Sequence, residues 1–259
     1  MIVEPDPQLV PSVVSVMVVH DPAEWFDETL QSLAAQDYPN LRHLLLVTPM
    51  SDEDERADFA DHIRSVLPDA FVRDLPTNAG FGSAVNEVLR LVEGDNGFFL
   101  ICHDDVALEP RVVRTLVAEV FRSNAGIVGP KLTDWDQPRL LQHVGLGLDR
   151  FGELDPLVEP GEVDQEQHDA VRDVFVLPSA CLLVRADLFR SVGGFDPAIS
   201  SGMRTAYLYH GLDLMGPTMM VASVHTAEVV AETVGRFEKV FRTLLACGVV
   251  SCSTQRRDG

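Results

Sequence analysis

Two adjacent carboxylates at the end of an apolar run are the side chains in this sequence best placed to do chemistry. The run GFFLIC ends at Cys102 and leads directly into His103-Asp104-Asp105. Neighbouring carboxylates at the mouth of a buried strand repel one another, so holding both ionised calls for a cation. Mg²⁺ or Mn²⁺ suits carboxylate oxygen and is often held by one or two protein carboxylates, with ligand phosphates completing its shell. The pair also admits a plainer role, in which one Asp caps the helix beginning near Pro110 and its neighbour is solvated.

Three further motifs carry candidate side chains. Asn78-Ala79-Gly80-Phe81-Gly82, with Asn86 one helical turn on, follows an apolar run and opens a helical pattern. Backbone N–H groups at such a place point outward and favour an anion. The motif lacks the Walker Lys and the full dinucleotide spacing, so neither of those fingerprints is supported, and an ordinary glycine turn is the alternative. His20-Asp21-Pro22 ends the first apolar run, where it could meet a base or ribose, or cap the next helix. Gly193-Gly194-Phe195-Asp196 forms a tight turn that could set a carboxylate or an aromatic over a cleft, or simply end a helix.

The elements that must position these groups alternate. VVSVMVV (residues 13–19) suits a strand buried on both faces of a parallel sheet. A helix follows with Trp25, Phe26, Leu30 and Leu33 on one face, closed by the turn-forming DYPN. LRHLLLV is a second strand and, after an acidic SDEDE loop, ADFADHIRSVL a second helix. AFVRDL is a short third strand, TNAGFGSAVNEVLRLVEG a glycine-rich entry into one helix, and GFFLIC the fourth strand. Alternation to about residue 120 implies right-handed crossovers and a mostly parallel sheet, whose ligands sit beyond the carboxyl ends of the strands. His20-Asp21, Thr48-Pro49, residues 73–82 and residues 103–105 therefore share one edge. Beyond Gly126, GIVGPKL, LLQHVGLGLD and VFVLPSACLLV read as strands around an acidic loop at residues 159–169, LFRSVGGFDP as a short helix, and residues 227–246 as a final amphipathic helix.

Composition narrows the functions available. The chain has 259 residues, 40 acidic against 20 basic, and a formal net charge of -20. That excludes an electrostatic grip on nucleic acid or an anionic membrane surface. An anionic ligand would have to be neutralised locally, by a metal or by backbone N–H groups. Cys102, Cys181, Cys247 and Cys252 lack metal-type or disulfide spacing and read as small buried hydrophobes of a reducing, cytoplasmic compartment. No secretory signal and no apolar run of bilayer-spanning length is visible. Membrane association through a longer parent chain or a partner stays compatible with this.

Taken in order, the segments are more specific than any one of them. VVSVMVVHDPAEWFDETLQSLAAQDYPNL, TNAGFGSAVN, HDDVALEP, GPKL and PSACLLVRADLFRSVGGFDP together resemble the family 2 glycosyltransferases of GT-A fold, over about residues 11 to 200. Within them the chain is most similar to the bacterial branch that includes rhamnosyl- and galactofuranosyltransferases. The resemblance implies a Rossmann-like α/β domain over residues 12–225, preceded by an extension (1–11) and followed by a helix and tail (226–259). It also implies a UDP- or dTDP-sugar donor and a glycan or lipid-linked acceptor of the cell envelope, reached from the inner face of the membrane. Asp104-Asp105 matches the family's DxD-type motif, with Asp105 the metal ligand and Asp104 beside it near the ribose. His20, Asp21, Asn78 and Gly80 fall in the nucleotide pocket, with Phe81 and Asn86 alongside in the donor-binding set, and GGFDP falls on the acceptor side.

Two departures from the family pattern stand out. After the second strand, where the family carries an Asp-rich turn that contacts the base, this chain reads Val47-Thr48-Pro49-Met50-Ser51. After GGFDPAIS, where the family carries an acidic element with the catalytic base, no acid occurs from residue 200 to 212. Asp213 is the nearest carboxylate and the nominated base, with Asp196 as the second candidate. Residues 201–214 read as a local reading-frame slip or degeneration of the source gene. Two other readings stand beside this one: a catalytically impaired nucleotide-sugar-binding module, which the missing acid favours, and a nucleotidyltransferase, which HDPAEWF disfavours because it lacks a glycine-rich basic signature after the first strand.

Overall fold

The computed structural model describes residues 10–50, 53–148 and 154–195. The expected alternation is present. β1 (Val13–Val19), α1 (Phe26–Ala34), β2 (Leu41–Val47), α2 (Glu53–Val66), β3 (Phe71–Asp74), α3 (Phe81–Val85), α4 (Val88–Leu91), β4 (Phe98–His103) and α5 (Val112–Ser123) follow in order. After them come the short strands β5 (Ile127–Val128), β6 (Leu132–Thr133), β7 (Leu141–His143), β8 (Leu146–Leu148) and β9 (Leu154–Pro156), then β10 (Cys181–Arg185) and α6 (Ala186–Ser191).

The main sheet has the order β3-β2-β1-β4-β10-β5. β1, β2, β3 and β4 run parallel, and β10 runs against both β4 and β5. The sheet is therefore mostly parallel, and the pairing of β1 with β4 sets their ends side by side at its centre. β6 pairs with β7, and β8 with β9, as two small antiparallel ribbons.

The wholly apolar strands are explained by burial on both faces. On β1, Val13, Met17 and Val19 join Phe26, Leu30, Leu33, Ile63, Val113 and Leu116 in one core. Val16 and Val18 join Val85, Val88, Leu188, Phe189 and Phe195 in the other. The period of two along a strand thus divides each run between two helical layers. By the same alternation Phe99 and Ile101 face the layer of α3 and α6, while Leu100 and Cys102 face α1 and α5.

Three local readings are corrected. α2 begins at Glu53, inside the stretch read as an acidic loop; carboxylates in a first turn complement the helix dipole and favour starting there. Trp25 is the residue before α1 and is 40% exposed, so it lies off the buried face. The single helix expected after the glycine-rich entry is two pieces, α3 and α4, joined through Asn86 and Glu87 by i→i+3 bonds such as Glu87 N–H to the Ala84 carbonyl and Leu89 N–H to the Asn86 carbonyl. Cys102 and Cys181 are buried and unbridged, as expected. The helix at residues 227–246, Cys247 and Cys252, and the segment 201–214 lie outside the described residues.

Candidate functional site at the carboxyl ends of the parallel strands

The parallel register carries the ends of β1 and β4 to the same level, Val18 opposite His103. Just past this pair, the backbone N–H of His20 donates to Asp104 Oδ2 at 2.9 Å. Asp104 is thereby turned across the strand ends, not toward α5. That helix starts at Val112 with no side-chain cap, so the capping role considered for the pair is not the one it has. Burial lifts the Asp104 carboxyl above the usual Asp range, with the His20 N–H opposing and Asp105 reinforcing the rise. Asp105 stands beside it with 55% of its side chain exposed.

His103, the last residue of β4, supports the pair from beneath. Its Nε2 lies 3.0 Å from Ser179 Oγ, its Nδ1 lies 3.8 Å from Asp105 Oδ1, and its ring meets the edge of Phe81 at a centroid distance of 4.6 Å. Burial holds this imidazole below the usual His range, against the pull of Asp105.

A second chain of polar contacts runs through the His20 ring. Thr48 Oγ1 donates to the Val19 carbonyl at 3.1 Å and lies 3.0 Å from His20 Nδ1. Since the single hydroxyl proton is committed to Val19, His20 Nδ1 carries the proton toward Thr48, and Nε2 is left as an acceptor. Asn78 Nδ2 lies 3.4 Å from that Nε2, while Asn78 Oδ1 accepts from the N–H of Gly80 at 3.2 Å. The ends of β1 and β2 and the loop after β3 are thus joined at one ring.

Asp21 adopts φ 53°, a left-handed backbone that turns the chain sharply away from the strand. α1 begins only at Phe26 with no side-chain cap, so neither His20 nor Asp21 caps it. Beside them opens a cleft of about 660 Å³, walled by Val19, His20, Asp21, Glu24, Asp27, Thr48, Met50, Phe59 and His62 among others. His62 Nε2 and Asp27 Oδ1, 2.6 Å apart, bridge α2 and α1 at its rim.

Gly80 begins α3 with φ 89°, which requires glycine. α3 is only five residues long, so any anion there would be met by loop N–H groups rather than by a helix dipole. Asn86, expected among the donor-binding residues, commits both side-chain atoms to the chain itself: Nδ2 donates to the Phe195 carbonyl at 2.7 Å and Oδ1 accepts the Phe195 N–H at 2.8 Å. Gly193 and Gly194 end α6 with φ 80° and 83°. Asp196 and Asp213 lie outside the described residues.

The structure therefore brings His20, Asp21, Asn78, Gly80, Phe81, Asp104 and Asp105 to one edge of the sheet. Two contributors were not read as such from the sequence. Thr48 stood among the residues after a strand but carried no assigned role, and Ser179, just before β10, had no motif to mark it. Among the described residues, no three His, Cys, Asp or Glu side chains converge as a metal cage. The donor set nonetheless fits a hard divalent ion: two carboxylates, one of them more than half exposed, are what Mg²⁺ or Mn²⁺ needs when phosphate oxygens and water supply the rest.

A mostly parallel sheet with an acidic pair at its central carboxyl edge defines the class of α/β domains that bind ligands at that edge. Residues 11–207 match the family described as glycosyltransferase like family 2, and the chain belongs to that family. Solved structures similar to it include TarS 1-349 of S. aureus, at TM-score 0.51 and 16% identity, covering 74% of this chain and 52% of that one. GalNAc-T7 with UDP, GalNAc and Mn²⁺ is similar at TM-score 0.51 and 13% identity, covering 74% and 38%. The mannosyltransferase PcManGT from Pyrobaculum calidifontis, in complex with GDP-Man and Mn²⁺, follows at TM-score 0.49 and 16% identity, covering 76% and 51%. The chain thus spans about half the length of the TarS structure (52%). No curated protein matches it in sequence. Among the described residues, no helix is long and apolar enough to cross a membrane.

Proposed function

We propose that this chain is an inverting glycosyltransferase that moves a sugar from a UDP- or dTDP-sugar to a hydroxyl of a glycan or lipid-linked acceptor of the cell envelope, at the inner face of the membrane. The observation that carries the reading is the acidic pair at the centre of the sheet edge, with Asp104 braced on the His20 N–H and Asp105 more than half exposed beside it. Family membership supports glycosyl transfer, and the UDP and Mn²⁺ of the GalNAc-T7 structure are in keeping with a nucleotide donor and a divalent ion.

In this reading Asp105, with Asp104 beside it, holds Mg²⁺ or Mn²⁺, which when bound offsets the charge of the donor diphosphate. The nucleoside lies toward the 660 Å³ cleft, against His20, Asp21 and Thr48. There His20, its Nδ1 directed at Thr48, presents its other ring nitrogen toward Asn78. Thr48 and Met50 stand where the family's acidic turn would contact the base, which leaves Asp21, Glu24 and Asp27 as the carboxylates lining the cleft. Gly80 and Phe81 line the approach to the diphosphate. Asp213, or Asp196 in its place, takes the acceptor proton as the acceptor oxygen bonds to the anomeric carbon and the bond from that carbon to the diphosphate breaks.

Incubation with a panel of nucleotide sugars and Mn²⁺ tests this. Slow donor hydrolysis is the expected result; no turnover and no binding would remove the proposal. A specific observation favours one second reading, a catalytically impaired nucleotide-sugar-binding module: residues 200–212 contain no acid. Binding without turnover would select it.

A further inference from the structure

Asn86 makes a two-point clamp on one residue 109 positions away. Its amide both donates to and accepts from the backbone of Phe195, at 2.7 and 2.8 Å, as a paired strand residue would. The clamp is not needed to end α6. The N–H of Gly193 reaches the Arg190 carbonyl at 3.0 Å and that of Gly194 the Phe189 carbonyl at 2.9 Å, which satisfies the helix terminus without it. The Asn86 bonds are additional, and the surrounding contacts are built for them. A Cβ on Gly194 would sit 2.2 Å from Asn86 Oδ1, and one on Gly82 would sit 2.9 Å from Phe195 Cβ. Phe195 is 2% exposed, and its ring stands 6.2 Å from that of Phe81. The loop that begins at Asn78 and the turn that leads into Asp196 are therefore locked together at Phe195, through side chains from both.

We propose that Asn86 is a positioning residue that fastens the turn at residues 193–195 to the end of α3, the helix that the loop at residues 78–80 opens, so that occupation of the loop by a nucleoside diphosphate is felt at the turn. The inference rests on the donor-site reading above. It assigns Asn86 to the coupling of donor and acceptor sides rather than to donor contact, because neither of its polar atoms is turned to the cleft.

Amide hydrogen exchange of the full chain, with UDP and Mn²⁺ as the probe, tests it. In the wild type, UDP slows exchange at residues 80–82 and, by roughly tenfold, at residues 193–195, since the Phe195 N–H exchanges only when the clamp opens. In Asn86→Ala, UDP affinity stays within about threefold, residues 80–82 still respond, and residues 193–195 no longer do. Asn86→Asp keeps the acceptor for the Phe195 N–H, loses the donor to its carbonyl, and preserves size, so it carries the same test with a smaller response should the alanine variant fail to fold. A turn that responds to UDP equally in wild type and both variants overturns the inference, as does a wild-type turn that stays silent while the loop responds. A wild type that binds neither UDP nor dTDP overturns the donor-site reading and this inference with it.

Discussion

The backbone N–H of His20 and the carboxylate of Asp104, 2.9 Å apart, tie the ends of the two central parallel strands into one unit. The bond divides the labour between the two aspartates: Asp104 is half structural, whereas Asp105, 3.8 Å from His103 Nδ1, keeps more than half of its side chain exposed. Asp105→Ala should therefore abolish the gain in UDP or dTDP affinity produced by Mn²⁺ while leaving stability within about 0.5 kcal/mol, as is usual for an exposed side chain. Asp104→Ala should cost about 1–2 kcal/mol in addition, because it leaves the His20 N–H without its acceptor. Titration calorimetry with and without Mn²⁺, paired with urea unfolding, separates the two. Equal metal-dependent binding in wild type and Asp105→Ala would remove the site.

Thr48 should control the tautomer of His20. Thr48→Val removes the hydroxyl that accepts the Nδ1–H but leaves the Val19 carbonyl its bond from the Thr48 N–H, which is 3.0 Å long. The expected outcome is a mixture of ring tautomers where the wild type shows Nδ1–H alone, read from the imidazole ¹⁵N shifts. UDP affinity should fall about tenfold, in line with about 1.4 kcal/mol for one lost hydrogen bond. A variant that keeps a pure Nδ1–H ring would show that Thr48 does not set it.

Much of this arrangement was legible because β-branched runs buried on both faces announce a parallel sheet, and residues following such strands share an edge. His20, Asn78, Asp104 and Asp105 were found that way. What the sequence could not show is which polar atoms face one another. Asn86 sits one turn past a glycine loop, where a ligand contact is the natural reading, yet its partner is the backbone of Phe195. A contact spanning 109 residues leaves no local periodicity to detect. Ser179 was hidden for the same reason, since its importance comes from the antiparallel docking of β10 on β4, which sets it against His103. The start of α2 was misplaced because acidic residues resemble a loop by composition while suiting a first helical turn by charge.

Arg190 should be a stability residue of the second core. From α6 its guanidinium donates to the carbonyls of Leu89 at 2.9 Å and Gly94 at 3.0 Å, and also to that of Val92. It thus satisfies the open end of α4, whose last carbonyls have no helical partner. Arg190→Ala should destabilise the fold by about 2–3 kcal/mol, and Arg190→Lys should recover only part of this, because one ammonium cannot reach three divergent carbonyls. Urea midpoints of the two variants check it, and a lysine variant as stable as wild type would contradict the fork geometry.

His43 should give the fold a defined sensitivity to mild acid. It lies on β2 with Nδ1 2.8 Å from the buried Ser15 Oγ, and burial pushes its pKa down to about 4, with Asp69 opposing. In the unfolded chain it protonates near its ordinary value of 6.5. Between those two values the unfolded state binds a proton that the native state refuses, so the sign is fixed: stability is fully present above about pH 6.5, falls as the pH drops toward 4, and levels off below. The shift corresponds to a loss of up to roughly 3 kcal/mol across that window. Other titrating groups contribute to the total, so the test is differential. The double variant Ser15→Ala/His43→Leu removes the imidazole and its hydroxyl partner together, leaving no orphaned polar atom. Its unfolding free energy, measured in urea at pH 7, 5.5 and 4.5, should decline less steeply than that of the wild type by that amount. Parallel slopes in the two proteins would show that His43 protonates as readily in the fold as out of it.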